Sequence, residues 1–303
     1  MAKVCVLLGG NSSEREVSLR SGAVILKALR ARGVDAESFD YHGNNLWELR
    51  ERGYEKVLIA LHGGAGENGA IQGFLEVSAI PYTGSGVLAS ALCMDKQRSK
   101  ELARAYARVP KDIVLSRDEA QERLAANDSF AKEGAALAYP LVVKPSQDGS
   151  SVGVSIVQAA QDLAAAVSLA LEGKGAVMLE EYVGGYELTV AVLHGRALGV
   201  CEIVPKHGFY DYEAKYIRND TQYLVPSTLG ADIERIMCEQ AEALYAAFGC
   251  KGVARVDFLA NSKKELYFLE LNTVPGMTEK SLVPKIAQAA GIGFEELCLA
   301  MLE

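Results

Sequence analysis

GVARVDFLANSKKELYFLELN, residues 252–272, reads as two β-runs around a polar centre, and the rest of the chain can be organised around it. A hairpin centred between Lys263 and Lys264 sets Arg255 opposite Asn272 and Asp257 opposite Glu270. Side chains alternate across a strand, so Arg255, Asp257, Glu270 and Asn272 share one face, while Val256, Phe258, Leu269 and Leu271 share the other. Two carboxylates and an amide oxygen projecting together are hard-oxygen ligands suited to magnesium, whose shell is completed by waters and substrate phosphates. Arg255 beside them is placed to stabilise a developing oxyanion. The solvated face of an ordinary antiparallel hairpin has the same pattern. What favours a site is the continuation, Thr273-Val274-Pro275-Gly276-Met277-Thr278, a turn whose glycine can bring a backbone N–H close to a reacting group.

Moving outward, residues 183–303 form a C-terminal domain. YELTVAVLHGRALGVCEIVP alternates like antiparallel strands with a turn at His194-Gly195, a helix is expected near 231–248, and a helical stretch ends the chain. A polar loop from about 206 to 222 carries Phe209, Tyr210, Tyr212, Lys215 and Tyr216, a mixture of aromatics and lysine that suits a water-excluding lid.

A central domain is expected at 95–182. In YPLVVKPSQDGSSVGVSIV, two β-branched runs flank a small-residue loop; Lys144 ends the first run, and Ser150, Ser151 and Gly153 lie in the loop. Such a loop can lay amides and hydroxyls over phosphates, although GxxxxGK[ST] is absent and glycine-serine hairpin loops are common structural elements. Lys96 and Lys144 offer point charges, or are simply solvated lysines. At the end of a further strand, the backbone of Glu180-Glu181-Tyr182-Val183 can read an adenine edge and Glu187 can hold ribose hydroxyls; acidic residues at strand ends are also ordinarily just exposed.

The first domain, 1–94, opens strand, glycine turn, helix: KVCVLL, Gly9-Gly10, then a helical apolar spacing with Ser13 and Glu16 at capping-box distance and Gly33 as a stop. Continued α/β alternation follows through KVLIALHGG. Glu14, just past the glycine turn, either binds a substrate ammonium or complements the helix dipole. His62 opens a glycine-rich segment to Gly69 that reads as a mobile hydrogen-bonding loop.

Composition sets the outer limits. The chain has 303 residues, half of them hydrophobic, enough for two or three packed domains. A net charge of −8 disfavours a broad nucleic-acid surface. Six scattered cysteines without a CxxC pair suggest neither a zinc site nor a disulfide framework. The first residues lack a signal-peptide pattern, and no apolar run approaches the roughly 20 residues of a membrane helix. A reducing, cytoplasmic setting is expected.

In order, LLGGNSSEREVS, HGGAGENG, PYTGSGVLASALCMDK, VKPSQDGSSVG, FYDYEAKY, ARVDF, LELNTVPGMT and SLVP resemble the motif series of the D-alanine:D-alanine ligases of the ATP-grasp superfamily, nearly end to end. The resemblance implies a mixed α/β fold of three domains, a Rossmann-like parallel sheet followed by two ATP-grasp subdomains clasping ATP. It implies ATP contacts from Lys96, Lys144, Ser150, Ser151, Gly153, Glu180, Glu181, Val183, Glu187, Phe209 and Lys215. Asp257, Glu270 and Asn272 would hold two magnesium or manganese ions. Glu14 would take the first D-alanine's ammonium, tied to Ser150 and Tyr216, with His62 nearby. Arg255 and the Gly276 amide would stabilise the tetrahedral centre, and Ser281 with the Leu282 amide would position the second carboxylate. A homodimer is implied.

The chain departs from the family's usual HGxGGEDG at Ala65 and Asn68, and carries Val274 where a serine usually precedes the PGMT turn. Relatives that make D-alanyl-D-lactate tend to carry phenylalanine where Tyr216 stands, which points to a dipeptide-forming member. Two competing readings are a different ATP-grasp ligase and a nucleotide-binding regulator without turnover. Glu14, Tyr216 and the Ser281-Leu282 pair argue against the first; the set Arg255, Asp257, Glu270 and Asn272 argues against the second.

Overall fold

In a computed structural model describing residues 3–206 and 220–303, the chain begins with β1, Val4–Gly9, buried along its whole length. It pairs in parallel with β2 (Ala36–Tyr41) and β3 (Lys56–Ile59), giving the order β2-β1-β3. Helix α1, Arg15–Ala31, makes the crossover between β1 and β2, as a parallel pair requires. It buries Val17, Ser18, Ser21, Gly22, Ile25, Ala28 and Leu29, one stripe at helical spacing. Gly22 is needed there because a Cβ would stand 2.6 Å from the Leu8 side chain. The capping box expected from Ser13 and Glu16 does not form: the N-cap is Glu14, whose N–H donates to the Ser12 hydroxyl at 3.2 Å. Gly33 does terminate the helix, at φ 77°.

Helices α2 (Ala70–Val77), α3 (Val87–Met94) and α4 (Lys96–Ala103) follow. The central sheet is antiparallel in the order β4-β7-β5-β6, from Asp112–Leu115, Val177–Glu181, Leu141–Pro145 and Ser155–Val157. Helices α5 (Arg117–Ala125), α6 (Ala131–Leu137) and α7 (Leu163–Ala170) cover it around Phe130, Leu141, Val143, Val167 and Leu179.

The third sheet runs β10-β9-β8-β11-β12, all antiparallel, from Gln222–Leu224, Arg196–Val204, Tyr186–Leu193, Val253–Ala260 and Leu266–Asn272. Helix α8 (Ala231–Ala247) packs on one face together with residues of α3 and α4, around Phe248, Phe258 and Phe268. Helix α9 (Leu282–Ala289) lies on the other face, and α10 (Phe294–Ala300) packs against α1. One core cluster therefore joins Val6 and Ile25 to Ala191, Ile203 and Ile286, locking the N-terminal sheet to the C-terminal one.

The expected β11–β12 register holds for Arg255 opposite Asn272 and Asp257 opposite Glu270, but a bulge after Asp257 then pairs Phe258 with Phe268. Phe268 takes the core place expected for Leu269, which turns instead into the cleft between the central and C-terminal sheets. Such an extra residue re-aims the side chains beyond it. Phe209, Tyr210, Tyr212, Lys215 and Tyr216 lie outside the described residues.

Candidate active site

Two cavities meet in the middle of the molecule. The first lies between the central and C-terminal sheets and is lined by Lys96, Lys144, Ser150, Ser151, Glu180, Glu181, Val183, Glu187, Asp257 and Glu270. The second lies toward the N-terminal sheet and is lined by Glu14, His62, Glu67, Asn272, Gly276, Ser281 and Leu282. Lys96, Ser150, Arg255 and Glu270 belong to both. Of the predicted site residues within the described chain, all but Gly153 line one or both cavities, while Phe209, Lys215 and Tyr216 lie outside the described residues.

The first cavity is walled by charge. Lys144 and Glu180 are 5 % and 3 % exposed, which settles the choice between solvated and enclosed groups at these positions. Lys144 Nζ lies 2.7 Å from Glu180 Oε2, and Lys100 Nζ lies 2.5 Å from Oε1. Burial pushes the Glu180 carboxyl up, but the two lysine charges outweigh it and hold it down at about 2. Lys96 Nζ donates to the Asp148 carbonyl in the small-residue loop and stands 3.6 Å from Glu270 Oε2.

On the hairpin face, Arg255 Nε and Nη2 form a fork on Asp257 at 2.9 and 2.8 Å, and the Thr189 hydroxyl donates to Asp257 Oδ1. Asn272 Oδ1 accepts from the Val274 N–H at 2.9 Å. Both carboxylates are met by cations of the protein, Asp257 by Arg255 and Glu270 by Lys96. Two carboxylates and an amide oxygen suit a hard cation that keeps waters and shares a phosphate. They do not make a closed cage: among the described residues no three or more His, Cys, Asp or Glu are grouped for a metal.

The second cavity is acidic at one end and basic at the other. Glu14 Oε1 accepts from the Ser150 hydroxyl at 2.6 Å, and Arg255 faces it from the hairpin. An amino acid zwitterion matches that polarity. His62, 5 % exposed, sets its Nδ1 3.0 Å from the Val274 carbonyl and its Nε2 2.9 Å from the Ser21 hydroxyl. A carbonyl only accepts, so Nδ1 carries the proton and Nε2 accepts from Ser21. Ser21 Oγ in turn accepts from the Met277 N–H at 3.3 Å, so α1 and His62 together hold the 274–277 turn. Glu67 lies 3.8 Å from His62 Nδ1; burial raises its carboxyl, His62 opposes that, and Glu14 adds to it.

At the turn, a Cβ on Gly276 would stand 2.9 Å from Ser281 Oγ, so glycine is what permits the close approach. Ser281 precedes α9 as its N-cap and accepts from the Thr278 N–H at 2.9 Å, which leaves the Leu282 amide in the unpaired first turn of the helix. Residue-by-residue reading passes over Ser21, Lys100 and Thr189, which support the site from behind. Lys100 alone leaves a trace in the sequence, four residues after Lys96 on the same helix face.

The family model for the D-ala D-ala ligase C-terminus matches residues 107–303. A D-alanine–D-alanine ligase of Laribacter hongkongensis is 47% identical over 302 residues, covering 99% of this chain and 95% of the relative. One from Nitrosospira multiformis is 47% identical over 301 residues, with the same coverage. Among solved structures, the Bacillus anthracis D-alanine–D-alanine ligase complexed with ATP superposes with a TM-score of 0.84 at 34% identity, covering 99% and 95% of the two chains. The VanG D-Ala:D-Ser ligase of Enterococcus faecalis gives 0.85 at 32%, covering 99% and 98%. With this agreement in sequence and fold over nearly the whole chain, the protein belongs to the D-alanine–D-alanine ligase family of ATP-grasp enzymes.

Proposed function

We propose that the chain joins two D-alanine molecules into D-alanyl-D-alanine, with ATP converted to ADP and phosphate, as a step in making peptidoglycan precursors. The observation that carries this reading is the meeting of the two cavities at Lys96, Ser150, Arg255 and Glu270, an arrangement that supports a nucleotide in one with its terminal phosphate toward an amino acid's carboxylate in the other.

The first D-alanine is held by its ammonium on Glu14, with its carboxylate toward Arg255. That carboxylate attacks the γ-phosphorus of ATP, giving an acyl phosphate and ADP. The amine of the second D-alanine attacks the acyl carbon, and phosphate leaves. Lys96, Lys144 and the loop around Ser150 and Ser151 hold the phosphates, while the strand end at Glu181 and Val183 and the carboxylate of Glu187 take the adenosine. Asp257, Glu270 and Asn272 are the residues that would hold two magnesium or manganese ions. When bound, such ions neutralise charge on the transferring phosphoryl group. Arg255 and the Gly276 N–H stabilise the oxyanion of the tetrahedral centre, and Ser281 with the Leu282 amide orients the second carboxylate. The enzyme mainly positions reactants and shields the acyl phosphate from water.

No helix among the described residues is long and apolar enough to cross a membrane. A cytoplasmic homodimer is the setting we assign. The test is ADP release by the purified protein with ATP, magnesium and D-alanine, alongside L-alanine and D-alanine plus D-lactate or D-serine, with products identified by mass. D-alanyl-D-alanine as the main product is expected. Nucleotide binding with no dipeptide, or a different ligated product, would overturn the reading.

A further inference from the structure

Lys100 is among the largest fully buried side chains of the described residues, 0 % exposed, and nothing in the reaction as described uses it. A charge so enclosed is costly unless it is paired. Its partner is Glu180 Oε1, and the other oxygen of that carboxylate is on Lys144, which lines the nucleotide cavity. The arrangement is asymmetric: two cations share one anion, which leaves one positive charge over, and that charge faces the cavity through Lys144. A lone Lys144–Glu180 pair would instead be neutral. Each oxygen of this carboxylate carries one lysine and Glu180 is 3 % exposed, so the charge that Lys144 presents to the cavity depends on whether Lys100 shares Glu180.

The geometry points to Lys100 as a positioning residue for ATP: by occupying one oxygen of Glu180 it keeps the Lys144 charge available for the phosphates. The inference rests on the nucleotide reading above. The other charged groups around this cluster compensate it only at a distance. Asp112, on β4 opposite Glu180, is held by Arg104, and Lys96, one turn earlier on α4, turns to the Asp148 carbonyl and Glu270. Burial pushes the Lys100 ammonium down, Glu180 pulls it up and Lys144 pushes it down again, to about 8. The charge is thus present at neutral pH and titrates at moderately alkaline pH.

The experiment measures ATP affinity by calorimetry, and the KM values for ATP and D-alanine, in wild type, Lys100→Met and Lys100→Met/Glu180→Gln. The single variant leaves Lys144 in a neutral pair and is expected to weaken ATP binding about tenfold or more, with little change in the D-alanine KM. The double variant restores an uncompensated Lys144 charge and is expected to recover most of that loss. A purely structural role predicts the opposite, a double variant at least as impaired as the single one, and that result overturns the inference. Should the variants not fold, wild type alone decides: its ATP affinity is expected to fall about tenfold between pH 7 and pH 9 as Lys100 loses its proton, and an unchanged affinity overturns the proposal. Wild type that fails to bind ATP at all would instead count against the function proposed above.

Discussion

The Ser150 hydroxyl donates to Glu14 Oε1 at 2.6 Å, across 136 residues of chain. This bond links the N-cap of α1, in the N-terminal unit, to the small-residue loop of the central one. On the function proposed above, the carboxylate that would take the substrate's ammonium is thereby joined to the loop that would cover the phosphates.

Glu14→Gln keeps the shape and removes the charge that faces the ammonium. We expect the D-alanine KM to rise about ten- to a hundredfold while ATP affinity changes far less. Steady-state kinetics with each substrate varied in turn checks this. An equal loss in both would mean that Glu14 acts by placing the loop rather than by binding the amino acid.

Glu270 faces both cavities and Asp257 lies opposite it on the neighbouring strand. Glu270→Gln is expected to lower kcat about a hundredfold and to move the magnesium activation curve to higher concentration. Rates measured over a magnesium titration separate the two effects. A variant with normal magnesium dependence would remove Glu270 from the metal set.

Ser21 is buried and satisfies two groups at once, the His62 ring and the Met277 N–H. Ser21→Ala leaves both without that partner and is expected to cost about 1–3 kcal/mol of stability. Turnover should fall as well, because the 274–277 turn that presents Gly276 loses a support. Denaturant unfolding together with kcat reads both, and an unchanged kcat would show that the turn holds itself.

Glu180 is held at about 2, against 4.5 for a free side chain, so the unfolded chain takes up its proton first as pH falls. Its stabilisation is complete above the unfolded value and is lost as pH drops from 4.5 toward 2. Lys100 works in the opposite sense. Its folded value of about 8 lies below 10.5, so the folded state binds fewer protons in that window and its penalty is relieved as pH rises through it. Unfolding by urea over a pH series should show the acid-side loss in wild type and a shallower one in Glu180→Gln.

Much of the hairpin site was legible because it is local. Alternation around Lys263-Lys264 is enough to place Arg255, Asp257, Glu270 and Asn272 on one face, and strand pairing preserves that arrangement. The order of strand, glycine turn and helix at the N-terminus is equally a matter of short-range spacing. The misreadings are also local in origin. Ser13 and Glu16 have the right interval for a capping box, yet the helix starts at Arg15 because Ser12 and Glu14 shape the turn before it. Leu269 was assigned to the core by strict alternation, and one bulge was enough to exchange it with Phe268.

Motif order and hairpin spacing determined the family and many of the charged and polar residues that line the two cavities, because each of these depends on neighbours along the chain. The family resemblance already implied that Ser150 reaches Glu14, and the fold makes that bond; only the tertiary structure decided that Ser21 reaches Met277 256 residues away, and that Lys100 is sealed behind Glu180 rather than solvated on its helix. Periodicity marks which face of a helix is covered, but not which distant group covers it. A buried lysine and an exposed one are the same letter until packing supplies the carboxylate.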